Sequence, residues 1–214
     1  MSGRPAGRPP RISLEAVLAA GLEIGLVDLS IAAVAERLGV TRTSVHRHVG
    51  SRRDLETLVG EHLVETAPQP GDSGAPLEEH LLEFARGLVA HVRAHPGLAG
   101  YYARGFPRTR RSARVVEAFD ATLVARGLSG PAAARLAAAV ANHAIALAAF
   151  AMLDEQYVSD APEFLLDPDE FPILADTRRA WDEAGPDAES WFDWSLRGAV
   201  RGLIQQTLHG PGYL

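Results

Sequence analysis

The residues best suited to a chemical task lie between Ser30 and Arg52. The run Thr41-Arg42-Thr43-Ser44-Val45-His46-Arg47-His48-Val49 puts Val45 and Val49 inward at helical spacing. Arg42, Thr43, Ser44, His46, Arg47 and His48 then point outward. These are hydrogen-bonding or cationic side chains that let a helix sit close to base edges, which is the chemistry of nucleic-acid recognition. The preceding run SIAAVAERLGV begins at Ser30 and places Ile31, Val34, Ala35 and Leu38 on one helical face. Gly39 stops it, as a residue just past a helix end often does. A helix, a tight turn and a second short helix have helix-turn-helix spacing. The expected buried set is Ala35, Leu38, Val40, Val45 and Val49.

Charge supports this reading once it is divided. The 214 residues carry a net charge of −6, against wholesale coating of nucleic acid. Residues 1–53 hold eight arginines and four acids, a net of +4, whereas residues 54–214 carry −10. A basic end joined to an acidic body suggests one polyanion-facing module and one that faces something else.

Other chemistries find less support. The chain has no cysteine, which excludes a disulfide framework, thiolate metal sites and a cysteine nucleophile. The acids Asp154, Glu155, Asp160, Glu163, Asp167, Asp169 and Glu170 include paired carboxylates. They fall mostly on a proline-broken stretch with no glycine-rich phosphate turn nearby, so a solvated loop is expected. His80 and His95 lack metal-ligand spacing, and neither a metal nor a cofactor is expected. The start, MSGRPAGRPPRIS, has no apolar signal-peptide core, so a cytoplasmic protein is expected.

Helices must position these residues. Residues 1–11 read as a flexible basic arm that either reaches a minor groove through Arg4 and Arg8 or stays a disordered tail. A first helix starts behind Ser13 and ends at Gly25. The second and third cover 30–39 and 41–49, and Ser51 caps a fourth with Leu55, Leu58, Val59 and Leu63 inward. The stretch 67–76 is a linker by composition. Helices follow at 77–95, 109–126, 131–156, 173–184 and 188–208, with a short turn at 98–104 and a loop at 157–172. No run has strand character, and no repeat is present. The apolar run 136–153 nears the length of a membrane span, but its alanines and central Asn142 and His143 favour a buried helix. Expected domains are 1–66, with the arm, the helix-turn-helix and helix four, and 67–214.

The run from Ile12 to Leu55 resembles the DNA-binding domain of the tetracycline-repressor (TetR) family of transcription regulators. The matching pieces are Ala19-Ala20, LSIAAVAERLGV and SVHRHVGSRRDL. The chain has Val45-His46-Arg47-His48-Val49 where the family usually reads Leu-Tyr-x-His-Phe, so His46 replaces an aromatic. The body is similar to the tetracycline-repressor subgroup in ANHAIALAAFAMLDEQ, EFPIL and WFDWSLRGAVRGL. The resemblance implies an all-α fold: an N-terminal three-helix helix-turn-helix domain, then a helical-bundle domain for ligand binding and dimerisation. Thr41, Arg42, Thr43, Ser44, His46, Arg47 and His48 then face double-stranded operator DNA. Arg42, Thr43 and Ser44 fall where bases are read, and His48 aligns with a phosphate contact. Ser30 and Arg52 sit at helix N-termini facing the backbone.

For the body the resemblance implies a pocket for a small-molecule effector. Its candidate walls are Phe84, Leu88, His91, Tyr101, Tyr102, Phe106, Phe119, Asn142, His143 and Ala146, polar groups among apolar neighbours. The family position that holds the drug's magnesium through a histidine carries Ala103 here. A second drug-contacting histidine position carries Pro68. The expected effector is therefore largely apolar with a few polar groups. A homodimer is expected through 131–156 and 188–208, because Trp191, Trp194, Leu196, Val200, Leu203 and Ile204 give the last helix surplus apolar surface. The whole reads as a ligand-responsive repressor, without enzymatic activity and without a membrane. The alternatives are an all-helical interaction adaptor, or an enzyme that keeps a helix-turn-helix as scaffold.

Overall fold

A computed structural model describes residues 12–71, 74–157, 167–184 and 188–209. The basic arm with Arg4 and Arg8 lies outside these, as do Asp160 and Glu163. Ten helices run through the described residues: α1 (Leu14–Asp28), α2 (Ile31–Arg37), α3 (Arg42–His46), α4 (Arg52–Glu65), α5 (Leu77–Ala94), α6 (Leu98–Ala103), α7 (Arg110–Ala125), α8 (Gly130–Tyr157), α9 (Pro172–Ala184) and α10 (Ala188–His209). Among the described residues there is no strand. The all-helical expectation therefore holds.

The chain divides into two compact units, and the division differs from a cut at residue 66. The first unit comprises Met1–Thr66 together with His95–Ser112, and the second Ala67–Ala94 together with Ala113–Leu214. The stretch around α6 thus belongs with the N-terminal helices. Side-chain bonds from residues 101–112 to α4, described below, are the physical cause.

In the first unit α1 packs on α2 and α4, α2 on α3, and α4 on α6. Val17, Val34, Val45, Leu55 and Val59 are fully buried and form the shared core. Successive helices start from hydroxyl caps: Ser13 Oγ accepts from Ala16 N, Ser30 Oγ from Ala33 N and Ser51 Oγ from Asp54 N. Gly25 (φ 79°, ψ 159°) kinks α1, and one more turn carries it to Asp28, three residues past the expected end.

In the second unit α8 packs on α5 and α10, and α10 on α5. Ala133, Leu136, Ala137, Val140, Ala144, Leu147 and Ala148 make the buried stripe of α8. Small side chains there let neighbouring helices approach closely. Gly130–Phe150 is long and apolar enough to cross a membrane by length and composition. Its packing on α5 and α10 accounts for that composition as core. A charged clamp joins α5 to α10. Asp193 accepts from Arg86 and Arg197, and Glu78 pairs with Arg197 and Arg201.

Candidate nucleic-acid interface

The turn between α2 and α3 is fixed by backbone chemistry. Gly39 adopts φ 64°, a left-handed conformation that suits glycine. Its N–H donates to Glu36 O at 3.0 Å, and the Val40 N–H donates to Ala35 O at 3.0 Å. Both bonds of a Schellman motif are therefore present, and they satisfy the Ala35 and Glu36 carbonyls of α2. The chain leaves at a defined angle into Thr41, whose Oγ1 accepts from Ser44 N at 3.2 Å and lies 3.0 Å from Ser44 Oγ. This cap starts α3, which spans five residues and is shorter than the expected 41–49. The following residues still follow the helical path, with Val49 N donating to Val45 O.

Val45 and Val49 are buried and anchor α3, whereas Leu38 and Val40 are only half-buried. Thr41, Arg42, Thr43, His46, Arg47 and His48 are exposed, and Ser44 is half-buried. The sequence-derived set thus lies exposed or half-buried around a short helix held from behind by two valines. Arg42 and Arg47 make no ion pair with any described residue, so their guanidinium groups are free for an outside acceptor. Arg37, by contrast, is tied to Glu23 of α1. Ser30 and Thr41 use their hydroxyls as caps, and Arg52 Nε lies 3.0 Å from Glu56 Oε1 on the next turn of α4.

Further along α4 the environment changes from solvent to interior. Glu61 is 4% exposed, yet both of its carboxylate oxygens are satisfied. Oε1 accepts from the Tyr101 hydroxyl at 2.8 Å; Oε2 accepts from Ser112 N at 3.1 Å and from the Thr109 hydroxyl. Three donors offset the desolvation that a buried carboxylate would otherwise suffer. Burial and the Glu61 carboxylate raise the Tyr101 phenol far above its usual range. Arg108 closes the other side: its guanidinium stacks 4.4 Å from the Tyr101 ring centroid and donates to Tyr101 O and Gly105 O.

The candidate effector residues are divided between the two units. Tyr101, Tyr102 and Phe106 belong to the first unit, where Tyr102 and Phe106 meet edge to face at 5.0 Å between centroids. In the second unit Phe84 and Phe119 stack at 3.9 Å, and Leu88 and His91 are buried along the same helix as Phe84. His143 Nε2 lies 3.4 Å from Ser195 Oγ, on the seam between α8 and α10. Asn142 and Ala146 are exposed. They lie about half a turn away from the buried stripe centred on Val140 and Ala144, so they do not face α5. Alanines on every face of α8 hid its rotational phase from the sequence. Asp167, Asp169 and Glu170 form an exposed turn before α9, with Asp167 Oδ1 accepting from Asp169 N. Among the described residues no three His, Asp or Glu side chains are grouped to hold a metal.

Residues 67–206 match the family model described as tetracyclin repressor-like, C-terminal domain. That match covers more than half of the chain. The chain belongs to the TetR family of transcriptional regulators.

Solved structures of the family share the fold. ActR of Streptomyces coelicolor in complex with actinorhodin is 22% identical, with a TM-score of 0.71 over 95% of this chain and 100% of that one. A possible TetR family regulator from Streptomyces coelicolor A3(2) is 24% identical, with a TM-score of 0.71 over 90% and 98%. A variant TetR from Acinetobacter baumannii in complex with minocycline is 21% identical, with a TM-score of 0.64 over 92% and 98%. No curated protein sequence matches the chain significantly.

Three features of this TetR-family regulator escaped the sequence reading. The Glu61 joint is one, and its only local signal was a glycine, Gly60, in the middle of a helix. The second is His80, fully buried, with Nε2 3.2 Å from Thr122 Oγ1 and its ring stacked over Phe119. The third is Arg104, whose Nη2 lies 3.5 Å from Glu56 Oε2.

Proposed function

We propose that this TetR-family regulator is a repressor that binds a palindromic operator as a homodimer and leaves it when a small, largely apolar effector binds. The observation that carries the DNA reading is α3 itself: exposed Arg42 and Arg47 with no ion pair to any described residue, flanked by Thr43, His46 and His48, on a helix fixed by Val45 and Val49. Arg42, Thr43 and Ser44 read base edges. His48, Ser30 and Arg52 lie toward the phosphates.

The effector site lies in the second unit, among Phe84, Leu88, His91 and Phe119, with His80 and His143 adding polar groups. The similar Acinetobacter baumannii TetR variant and ActR were solved in complex with minocycline and actinorhodin, and the Phe84–Phe119 stack offers an aromatic surface to an apolar ring. The second copy packs on α8 and α10. Asn142, Ala146 and Phe150 follow at four-residue intervals along the outer side of α8, and Phe150, Trp191 and Trp194 are exposed. Leu196 and Val200 are buried within the chain, so the dimer surface of α10 is carried by its tryptophans and by Leu203 and Ile204. A single five-residue recognition helix is too small to specify a site alone, which a two-fold dimer remedies.

The test is retention of the purified protein on duplex DNA as salt rises. A DNA reader loses affinity steeply with salt, in proportion to the phosphates it neutralises. Salt-independent retention, or none, contradicts the reading.

A further inference from the structure

Glu56 stands one turn into α4, between two arginines of the first unit. Its Oε1 lies 3.0 Å from Arg52 Nε, and its Oε2 lies 3.5 Å from Arg104 Nη2. The Glu56 side chain is 19% exposed, against 62% for Arg52 and 55% for Arg104. The carboxylate is the fixed partner, and each guanidinium can swing away from it into solvent.

We propose that Glu56 competes with DNA phosphate for Arg52, and that Arg104, at the end of α6, sets the strength of that competition. The inference rests on the DNA-binding reading above. A carboxylate one turn from a phosphate-facing arginine holds back the charge that would displace counterions from DNA. A second guanidinium on the other oxygen disperses the negative charge and loosens the hold on Arg52. Exposed ion pairs add little to fold stability. Here, however, the alternative partner is a phosphate, so a small difference is read out as DNA affinity. Arg104 is the C-cap residue of α6, and Arg52 is the first residue of α4. A displacement of α6 along α4 therefore changes whether Glu56 holds one guanidinium or two. Glu56 and Arg104 are positioning residues: they act on DNA through Arg52.

The experiment is a double-mutant cycle on the full-length protein, with a labelled random-sequence duplex of about 30 base pairs titrated at several salt concentrations. Glu56→Gln should tighten binding by about three- to tenfold and steepen the salt slope by up to about one. Arg104→Ala should weaken binding about threefold when Glu56 is present and change it little in the Glu56→Gln background. Arg52→Ala should abolish the gain from Glu56→Gln. Circular dichroism and melting of each variant check that the fold is intact. Unchanged binding of Glu56→Gln overturns the inference while leaving the DNA-binding reading in place. Equal weakening by Arg104→Ala in both backgrounds assigns Arg104 a direct phosphate contact and also overturns it, as does no effect in either. A wild-type protein with no salt-dependent binding overturns the DNA-binding reading, and this inference with it.

Discussion

The ring of Tyr101 occupies the space that a side chain on Gly60 would need. A Cβ at position 60 would lie 2.5 Å from Tyr101 Cε2 and 2.6 Å from Cδ2 and Cζ. One residue further on, Glu61 accepts the Tyr101 hydroxyl. Packing and hydrogen bonding therefore join α4 to residues 101–112 at one point, and that joint explains why the stretch counts with the first unit.

Gly60→Ala tests the packing half of the joint. Alanine favours a helix interior by about 1 kcal/mol over glycine. The Tyr101 ring is fully buried and has nowhere to retreat, so overpacking of about 1–3 kcal/mol should win. Tyr101→Phe tests the other half by leaving Glu61 Oε1 without its donor, at about 1–3 kcal/mol. Urea unfolding at neutral pH measures both. A Gly60→Ala protein more stable than the wild type would contradict the close approach.

Two carboxylates should shift stability with pH in opposite ways. Hydrogen bonds from Arg86 and Arg197 hold the Asp193 carboxyl below its usual range. Its contribution is present above about pH 4, the ordinary aspartate value, and is lost as pH falls through the lowered folded value. Asp193→Asn should therefore be less stable than wild type at neutral pH, with the gap closing in acid. Asp120 is raised, first by burial and then by Glu117, and its Oδ1 has no hydrogen-bond partner among the described residues. Its ionised form is the destabilising one, so Asp120→Asn should match or exceed wild type at neutral pH and lose that advantage in acid. Thermal melts from neutral pH into acid check each sign.

Tyr102 offers a third titration. Burial, aided by the Glu61 charge, pushes its phenol up to about 12. The neutral phenol is the one the fold favours, so its contribution is complete below about pH 10 and is lost as pH rises through about 12. Phenolate absorbance of Tyr102→Phe should lack a late-titrating component that the wild type shows. Disappearance of an early component instead would place Tyr102 in solvent.

Much of the first unit could be read in the sequence because its signals are local. Ser13, Ser30 and Ser51 precede amphipathic runs and cap them through the third residue on; Gly39 follows the last buried turn of α2. The outward face of α3 follows from Val45 and Val49 alone. The Glu61 joint could not be read in this way, because its donors stand 40, 48 and 51 residues away. A glutamate on a helix otherwise looks solvated, and only tertiary packing buries it. The placement of the effector candidates was hidden for two reasons. Tyr101, Tyr102 and Phe106 are bound to α4's own unit, and α8 carries alanine on all sides, so periodicity could not say that Asn142 and Ala146 face outward.

The outer face of α8 gives a test of the proposed dimer. Ala146→Arg puts a charge at the middle of the Asn142–Ala146–Phe150 row, where the single chain leaves room for it. It should barely change the folded monomer, as surface substitutions usually fall within about 0.5 kcal/mol, but should weaken self-association at least tenfold through an unpaired charge in the interface. Sedimentation equilibrium of variant and wild type reads this directly. An unaltered dimer would place the interface elsewhere.

In the proposed function α3 reads DNA sequence from a two-fold dimer. The most direct measurement is selection of duplexes from a random pool by the purified full-length protein, repeated with Arg42→Ala. Enrichment of a pseudo-palindrome is expected, with half-site centres about one helical turn, roughly 34–36 Å, or a multiple apart. Arg42→Ala should relax the preference at one position of each half-site, with a loss of about 1–3 kcal/mol. A pool that stays random, or a selected sequence whose preference Arg42→Ala leaves untouched at every position, would contradict it.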